Sequence, residues 1–231
     1  MSLGLFTRYG LTRANGGGGG GAAFVASFEN AASSGTTLTV TLSDVQEGDL
    51  LIGFLTSTSQ PANTPPPAPS GWTLIDNYSV GTGFMKAGAY YRIADGTETS
   101  VVFTFAIFSA GNPKAHVRQY RPGAGLAYDA NPIDDVATVK NATSLTDLVA
   151  PAVTTTVDGA VVTYAWLAGN SGGTWTPPTL DDPVDQRSAN SQGYSGDLTV
   201  ASAGAAPTPT LSGSSSTTFK MLVSVAIKPP S

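Results

Sequence analysis

GDLLIGFLTSTS, residues 48–59, and DGAVVTYAWLAGN, residues 158–170, decide the reading of the fold. Each opens on a Gly–Asp pair in one order or the other and runs on as a β-branched and aromatic stretch. The segments around them agree as well. SGWTLIDN (70–77), AGAYYRIADGTETSVVFTFA (87–106) and PKAHVRQYRP (113–122) follow the first. WTPPTLDDPVDQ (175–186), GYSGDLTVAS (193–202) and FKMLVSVAIKPP (219–230) follow the second. The lead-ins LTVTLSDVQEGD (38–49) and APAVTTTVDGA (150–160) also match. One β-rich pattern is therefore written twice, with halves at about 37–122 and 150–230. Two repeats are too few for a solenoid, and two apolar sheet faces that must cover one another make a sandwich.

Working outward, the apolar runs are short and separated by Gly, Pro, Asn, Asp and Ser clusters, and many alternate with period two. Strands are predicted at 24–28, 37–42, 49–55, 88–94, 99–106, 114–120, 152–157, 160–167, 197–202 and 220–227. No stretch of helical length shows a 3.6-residue stripe. The expectation is an all-β protein: a jelly-roll-like antiparallel β-sandwich of about ten strands over residues 22–231. Residues 1–21 form an extended Gly-rich N-terminal arm, which ends in the glycine run 16–21 and is basic through Arg8 and Arg13. Leu5, Phe6 and Tyr9 would be its apolar anchors on a partner. Two stretches rich in Pro, Ser, Thr and Gly, 57–70 and 203–217, are expected to be long loops and a contact surface. Pro65, Pro66 and Pro67 favour an extended polyproline course.

Composition narrows the function classes. The chain has 231 residues, 12% of them charged, and a formal net charge of −5, so it lacks the basic footprint of a nucleic-acid binder. No apolar run reaches the length of a membrane helix, and no apolar signal region stands at the N-terminus. The absence of cysteine removes disulfides, thiol nucleophiles and thiolate metal sites.

Candidate chemistry is sparse. His116 is the one histidine. Alternation in KAHVRQY puts Lys114, His116, Arg118 and Tyr120 on one face and Ala115 and Val117 on the other. The small apolar face belongs to a core, so His116 is expected on a solvated face, away from any catalytic triad. Asp134–Asp135 and Asp181–Asp182, with Asp185 nearby, adjoin prolines and read as turn chemistry. Neither has calcium-loop spacing. Glu29, Glu47 and Glu98 fall in or beside turns, and nothing assembles a carboxylate pair for glycoside hydrolysis. No catalytic, cofactor-binding or metal-binding residue is assigned, and no enzyme is expected. Among the aromatics, Trp72 and Trp166 are expected in the core. Trp175, flanked by GGT and TPP, is expected to be exposed and, with Tyr194, to offer a stacking surface for a glycan.

The order GDLLIGFL, SGWTLIDN, AYYRIADGTETSVVFTFA and PAVTTTVDGA resembles a β-sandwich module of tailed-bacteriophage virion structural proteins, also found in bacterial surface proteins. The resemblance covers about residues 37–228. It implies a non-enzymatic capsid decoration, head-fibre or tail-appendage protein in the virion, assembled in the host cytoplasm. Its partners would be the major capsid protein or other virion proteins, and it would form a homo-oligomer, a trimer first. Tail-fibre or receptor-binding contact with a host glycan is one alternative, and a bacterial carbohydrate-binding or adhesion module is another.

Overall fold

The structure is a computed structural model. It describes residues 21–231 apart from 33, 59–63, 81–84, 110–111, 142–144, 170–174, 186–190 and 218. The arm residues Leu5, Phe6, Arg8, Tyr9 and Arg13 lie outside the described residues.

The fold is all-β, and among the described residues every strand pairing is antiparallel. The first half contains β1 (Ala23–Ala31), β2 (Ser34–Thr41), β3 (Glu47–Ser57), β4 (Thr73–Ser79), β5 (Lys86–Asp95), β6 (Ser100–Ser109) and β7 (Lys114–Arg121). The second contains β8 (Ile133–Asn141), β9 (Leu145–Val149), β10 (Thr154–Thr155), β11 (Ala160–Gly169), β12 (Trp175–Thr176), β13 (Asp181–Asp185), β14 (Ser191–Val200), β15 (Gly204–Ala205), β16 (Thr210–Thr217) and β17 (Phe219–Ile227).

The repeat is visible in the topology. One five-stranded sheet has the order β1-β7-β3-β5-β4, and the other has β8-β17-β11-β14-β13 when read from the corresponding edge. Each is covered on its outer face by a smaller sheet: β2-β6 in the first half, and β9-β16 with β12 added in the second. The topological unit starts ahead of each sequence repeat, at β1, one strand before the first, and at β8, two strands before the second. The halves do not exchange strands between their five-stranded sheets. Each half is a small sandwich of its own, and the two are stacked back to back.

Three apolar clusters fill the resulting gaps. Leu51, Leu55, Trp72, Tyr90, Phe103 and Val117 lie between the first large sheet and β2-β6. Leu148, Tyr164, Trp166, Trp175, Leu211 and Leu222 lie under the second half's outer strands. Leu50, Ile52, Phe54, Tyr120, Val161, Leu167, Val223 and Val225 form a shared core between the two large sheets. Both faces of each large sheet are thus covered, and β3, β11 and β17 are buried almost throughout. Continuous apolar runs such as VVTYAWL are what such strands need.

The stacking has a direction. β3 packs on β11 and β14, β7 on β14, and β4 on β8. A Cβ placed on Gly169 at the end of β11 would stand 2.9 Å from Thr58, just past the end of β3. Corresponding strands therefore run the same way while their lateral order is reversed. The halves are related by an approximate twofold axis along the strands.

Candidate functional site

Since the strands of both halves are aligned, the molecule has two unlike ends, about 30 Å apart along strands of some ten residues. At the first, the Asp49 end, acidic side chains organise tight turns. Buried Asp49 accepts hydrogen bonds from Arg121 Nε and Nη2, both at 2.9 Å, from the Gln46 amide at 2.8 Å and from Gln119 Nε2. This ties the turn before β3 to β7. Between β5 and β6, Glu98 accepts from the amides of Asp95 and Gly96 at 3.0 Å, and its carboxylate lies 2.7 Å from Arg92. Gly96 has φ 85°, and a Cβ there would stand 2.9 Å from the Glu47 amide nitrogen, so that turn requires glycine. β1 starts at this end, and the C-terminal residue Ser231 exchanges backbone hydrogen bonds with Ala127 nearby.

At the opposite end lie Lys86, Lys114, Lys220, Thr56, Ser57 and Thr58. All are buried, and burial pushes the three lysines below the usual lysine range. For Lys114 the nearby carboxylates of Glu29 and Asp185 work in the other direction. The described connecting residues beside them, Ala32, Thr58, 64–67, Val80, Met85, Asn112 and Pro113, include no Asp or Glu. The two ends therefore differ in chemistry: carboxylates organise the turns at one, and buried lysines gather at the other.

The expected site residues are placed differently from the sequence reading. His116 is 1% exposed and Arg118 fully buried. The alternation along β7 is as expected, with Ala115 and Val117 in the first half's own core. The opposite face does not meet water, because the second half covers it. His116 lies with its ring centroid 5.2 Å from that of Phe54. Trp175 is 3% exposed and packs in the second core, where a Cβ on Gly213 would come within 2.6 Å of its ring. Tyr194 is also buried; its hydroxyl donates to the Pro178 carbonyl at 3.3 Å, and its ring lies 5.6 Å from Trp166. Neither can stack on a sugar from solvent. A two-residue pairing of Trp175–Thr176 with β16 pulls the indole inward, although the flanking sequence reads as a loop.

The aspartate pairs serve the backbone. Asp134 accepts from the Thr156 amide and hydroxyl, both at 2.6 Å, and Asp135 accepts from the Thr154 amide at 2.8 Å. Together they pin β8 to the segment before β11. Asp182 has φ 47° at a bulge in β13 and presents its carbonyl to Arg118. Among the described residues no three His, Cys, Asp or Glu side chains gather in a metal-holding group.

The sequence reading misses the buried polar bridge between the halves. Arg118 reaches from β7 to Asp197 on β14 at 2.7 Å. It also donates to Tyr120 OH at 3.0 Å, to the Asp182 carbonyl at 3.0 Å and to Ser195 Oγ at 3.3 Å. Tyr120 OH in turn donates to Asp197 at 2.9 Å. The guanidinium carbon lies 4.7 Å from the Phe24 ring centroid, where the ring face adds a cation–π attraction. The same guanidinium was visible in the sequence as the polar side of an alternating strand. The alternation rule itself hid its role, because it assumes water on the polar side.

Compared with known proteins, the chain matches no family model, no curated protein and no solved structure.

Proposed function

We propose that this chain is a non-enzymatic structural subunit of a tailed-phage particle, a capsid decoration protein held by its N-terminal arm. The observation that carries the reading is the separation of the two ends. β1, the strand that follows the arm, begins at the Asp49 end, and the C-terminus lies there too. Lys86, Lys114 and Lys220 lie at the far end. A protein tethered through residues 1–21 would present that far end outward. Leu5, Phe6 and Tyr9 would supply apolar contact to the capsid protein or a neighbouring subunit, and Arg8 and Arg13 would pair with its acidic groups. An arm ordered on its partner adds contact area without a preformed pocket, at an ordering cost.

The test is deletion of residues 1–21, read by native mass and by co-sedimentation with arm-free particles. Loss of attachment and collapse of a discrete oligomer, trimeric in the first instance, support the reading. Unchanged attachment overturns it. The second reading is a receptor-binding subunit that touches a host glycan. It is favoured by the exposed Thr64 and Thr104 near Lys86, whose hydroxyls can hydrogen-bond sugar hydroxyls without desolvating a carboxylate.

A further inference from the structure

The outer sheets of the two halves do not match. In the second half β12 pairs with the far side of β16, Trp175 with Gly213 and Thr176 with Ser212, so that sheet has three strands. Its counterpart in the first half has β2 and β6, and among the described residues no strand pairs with the far side of β6. The hydrogen-bond pattern shows which groups stand open there. The Leu42 amide donates to the Thr99 carbonyl at 2.8 Å, and the Thr39 carbonyl accepts from Asn30 Nδ2 at 2.6 Å rather than from β6. Thr41–Ser100, Thr39–Val102 and Thr37–Thr104 are therefore the non-hydrogen-bonded pairs of this ladder. The amides and carbonyls of Val102 and Thr104 point away from β2, to the free edge, and both residues are exposed.

Proline lies opposite that edge. Across a cleft of about 270 Å³, Thr104 and Phe105 face Pro65, Pro66 and Pro67. The prolines come from the connection between β3 and β4, as β12 comes from the connection between β11 and β13. A proline has no N–H to give to β6, so this segment cannot complete the sheet as β12 does. It is held from the large sheet instead. The Pro66 carbonyl accepts from Tyr90 OH at 3.1 Å and from Asn77 Nδ2 at 3.2 Å. Tyr90 reaches it by lying across Gly88, where there is no room for a Cβ. The result is a groove with open backbone groups on one wall and apolar rings on the other, the form that accepts an added strand.

The sequence holds a segment suited to this groove. In the arm, Leu3, Leu5, Tyr9 and Leu11 fall on one face of an extended chain and Gly4, Arg8 and Gly10 on the other, with Phe6 as the exception. The arm has none of the 16 prolines, so every N–H is available to a ladder. It also has none of the 16 Asp and Glu residues, so Arg8 and Arg13 would meet an acidic body. The arm joins at β1, one lateral edge of the first large sheet, whereas the groove lies over β5 and β4 toward the other. A donor on one edge and an acceptor on the other suit copies standing side by side, each passing its arm to the next around a ring. β1 and β6 both begin at the Asp49 end, so an arm entering from there runs antiparallel to β6. Residues 14–21 span at most about 28 Å, enough to cross from copy to copy. We propose that residues 3–11 of one copy add as an antiparallel strand to the free edge of β6 in a neighbouring copy, with Leu5 and Tyr9 turned toward Phe105 and the proline rings. This rests on the reading of the arm as a tether and names its partner, a second copy of this chain.

The absence of cysteine makes disulfide trapping in the full chain direct. Arg8→Cys/Thr104→Cys puts one thiol on the outward face of the arm and one on that of β6. Phe6→Cys and Gly10→Cys stand in for Arg8→Cys to cover a register shift of two residues, and the single variants control for chance collision. Mild oxidation and a non-reducing gel are expected to show covalent species larger than a dimer from a double variant alone. Native mass is measured for the wild type and for Thr104→Pro, which removes the N–H at the free edge and leaves the ladder to β2 intact. Thr104→Pro is expected to keep its melting transition and to weaken the oligomer at least tenfold. If it does not fold, the disulfides decide. The proposal is overturned by a monomeric wild type, by disulfides formed only within a chain, by thiols that stay free in every double variant, or by a folded Thr104→Pro that associates as the wild type does. Deletion of residues 1–21 separates this failure from that of the tether. Attachment lost on deletion, with association unchanged in Thr104→Pro, keeps the tether and overturns the groove, and attachment unchanged on deletion overturns both.

Discussion

Arg118 Nη2 and the Asp197 carboxylate meet 2.7 Å apart across the seam between the two halves, and both side chains are almost entirely removed from water. The twofold-related place in the shared core, where β5 and β17 face one another, holds Ala87, Ala89, Met221, Val223 and Val225 instead. One copy of the seam is ionic and the other apolar. An all-apolar seam between two like sheets could pair in more than one lateral register. A charge pair with four further hydrogen bonds around it fits only one.

A buried ion pair stabilises little relative to an apolar replacement, but half of one is costly. Arg118→Met and Asp197→Leu are each expected to lose about 3–5 kcal/mol, because each strands a charge in the seam. The double variant Arg118→Met/Asp197→Leu should recover most of that loss. Urea unfolding of the four proteins checks this. Additive losses in the double variant would mean that the pair does not act as a unit.

Gly88 is predicted to be intolerant of alanine. The added Cβ would fall 2.0 Å from Tyr90 OH and 2.4 Å from its ring, in a fully buried site. Tyr90 has to move and lose the Pro66 carbonyl. Overpacking of this kind costs about 1–3 kcal/mol. A midpoint of unfolding unchanged from the wild type would show that Tyr90 has another low-energy position.

How much of this was legible depends on where each strand sits. The strands at the centre of the large sheets, β3, β5, β7, β11 and β17, were visible because burial on both faces demands apolar and β-branched runs. β8, β9, β13 and β16 were not. IDDVATVKN, DDPVD and TLSGSSST are rich in residues that favour turns, and three of these strands lie at sheet edges. Their pairing is set by the neighbour's register rather than by their own propensity, and Pro183 is tolerated because β13 is a bulged edge. The expected loop 203–217 is thus largely β16. Conversely, the expected strand 152–157 shrinks to the pair Thr154–Thr155. The repeat was legible from matching segments, but the stacking of two complete sandwiches was not. The polar face of KAHVRQY gives no sign of whether water or a second sheet lies opposite it.

Trp175 separates a structural from a binding role. Its ring fills the second core under Gly213. Trp175→Ala should therefore lower stability by about 3–5 kcal/mol through the cavity it leaves. Above the shifted melting point any ligand binding would vanish with the fold, and below it binding should be unchanged. Thermal melting followed by titration well below the midpoint distinguishes the two. A variant that melts like the wild type would place the indole in solvent.

Asp76 joins the halves at the other edge, where β4 meets β8, and makes that contact dependent on pH. Its carboxylate accepts from Thr138 Oγ1 at 2.7 Å, from the Asn77 amide at 2.8 Å and from Lys140 Nζ. Partial burial alone would raise its pKa. The hydrogen bonds from Lys140, Thr138 and the Asn77 amide, with the Lys140 charge, outweigh that and hold it below the usual carboxylate range. A carboxylate whose folded pKa is depressed contributes stability above its unfolded pKa and loses it as pH falls through the folded value. The contribution is therefore full at neutral pH and fades from about pH 4 downward. Because the pair is partly solvated, its size is about 0.5–1 kcal/mol. Asp76→Asn should be less stable than the wild type by that amount at pH 7, and the difference should narrow toward pH 3. Urea midpoints across that range measure it. A gap that stays constant with pH would assign the loss to packing of the amide rather than to the charge.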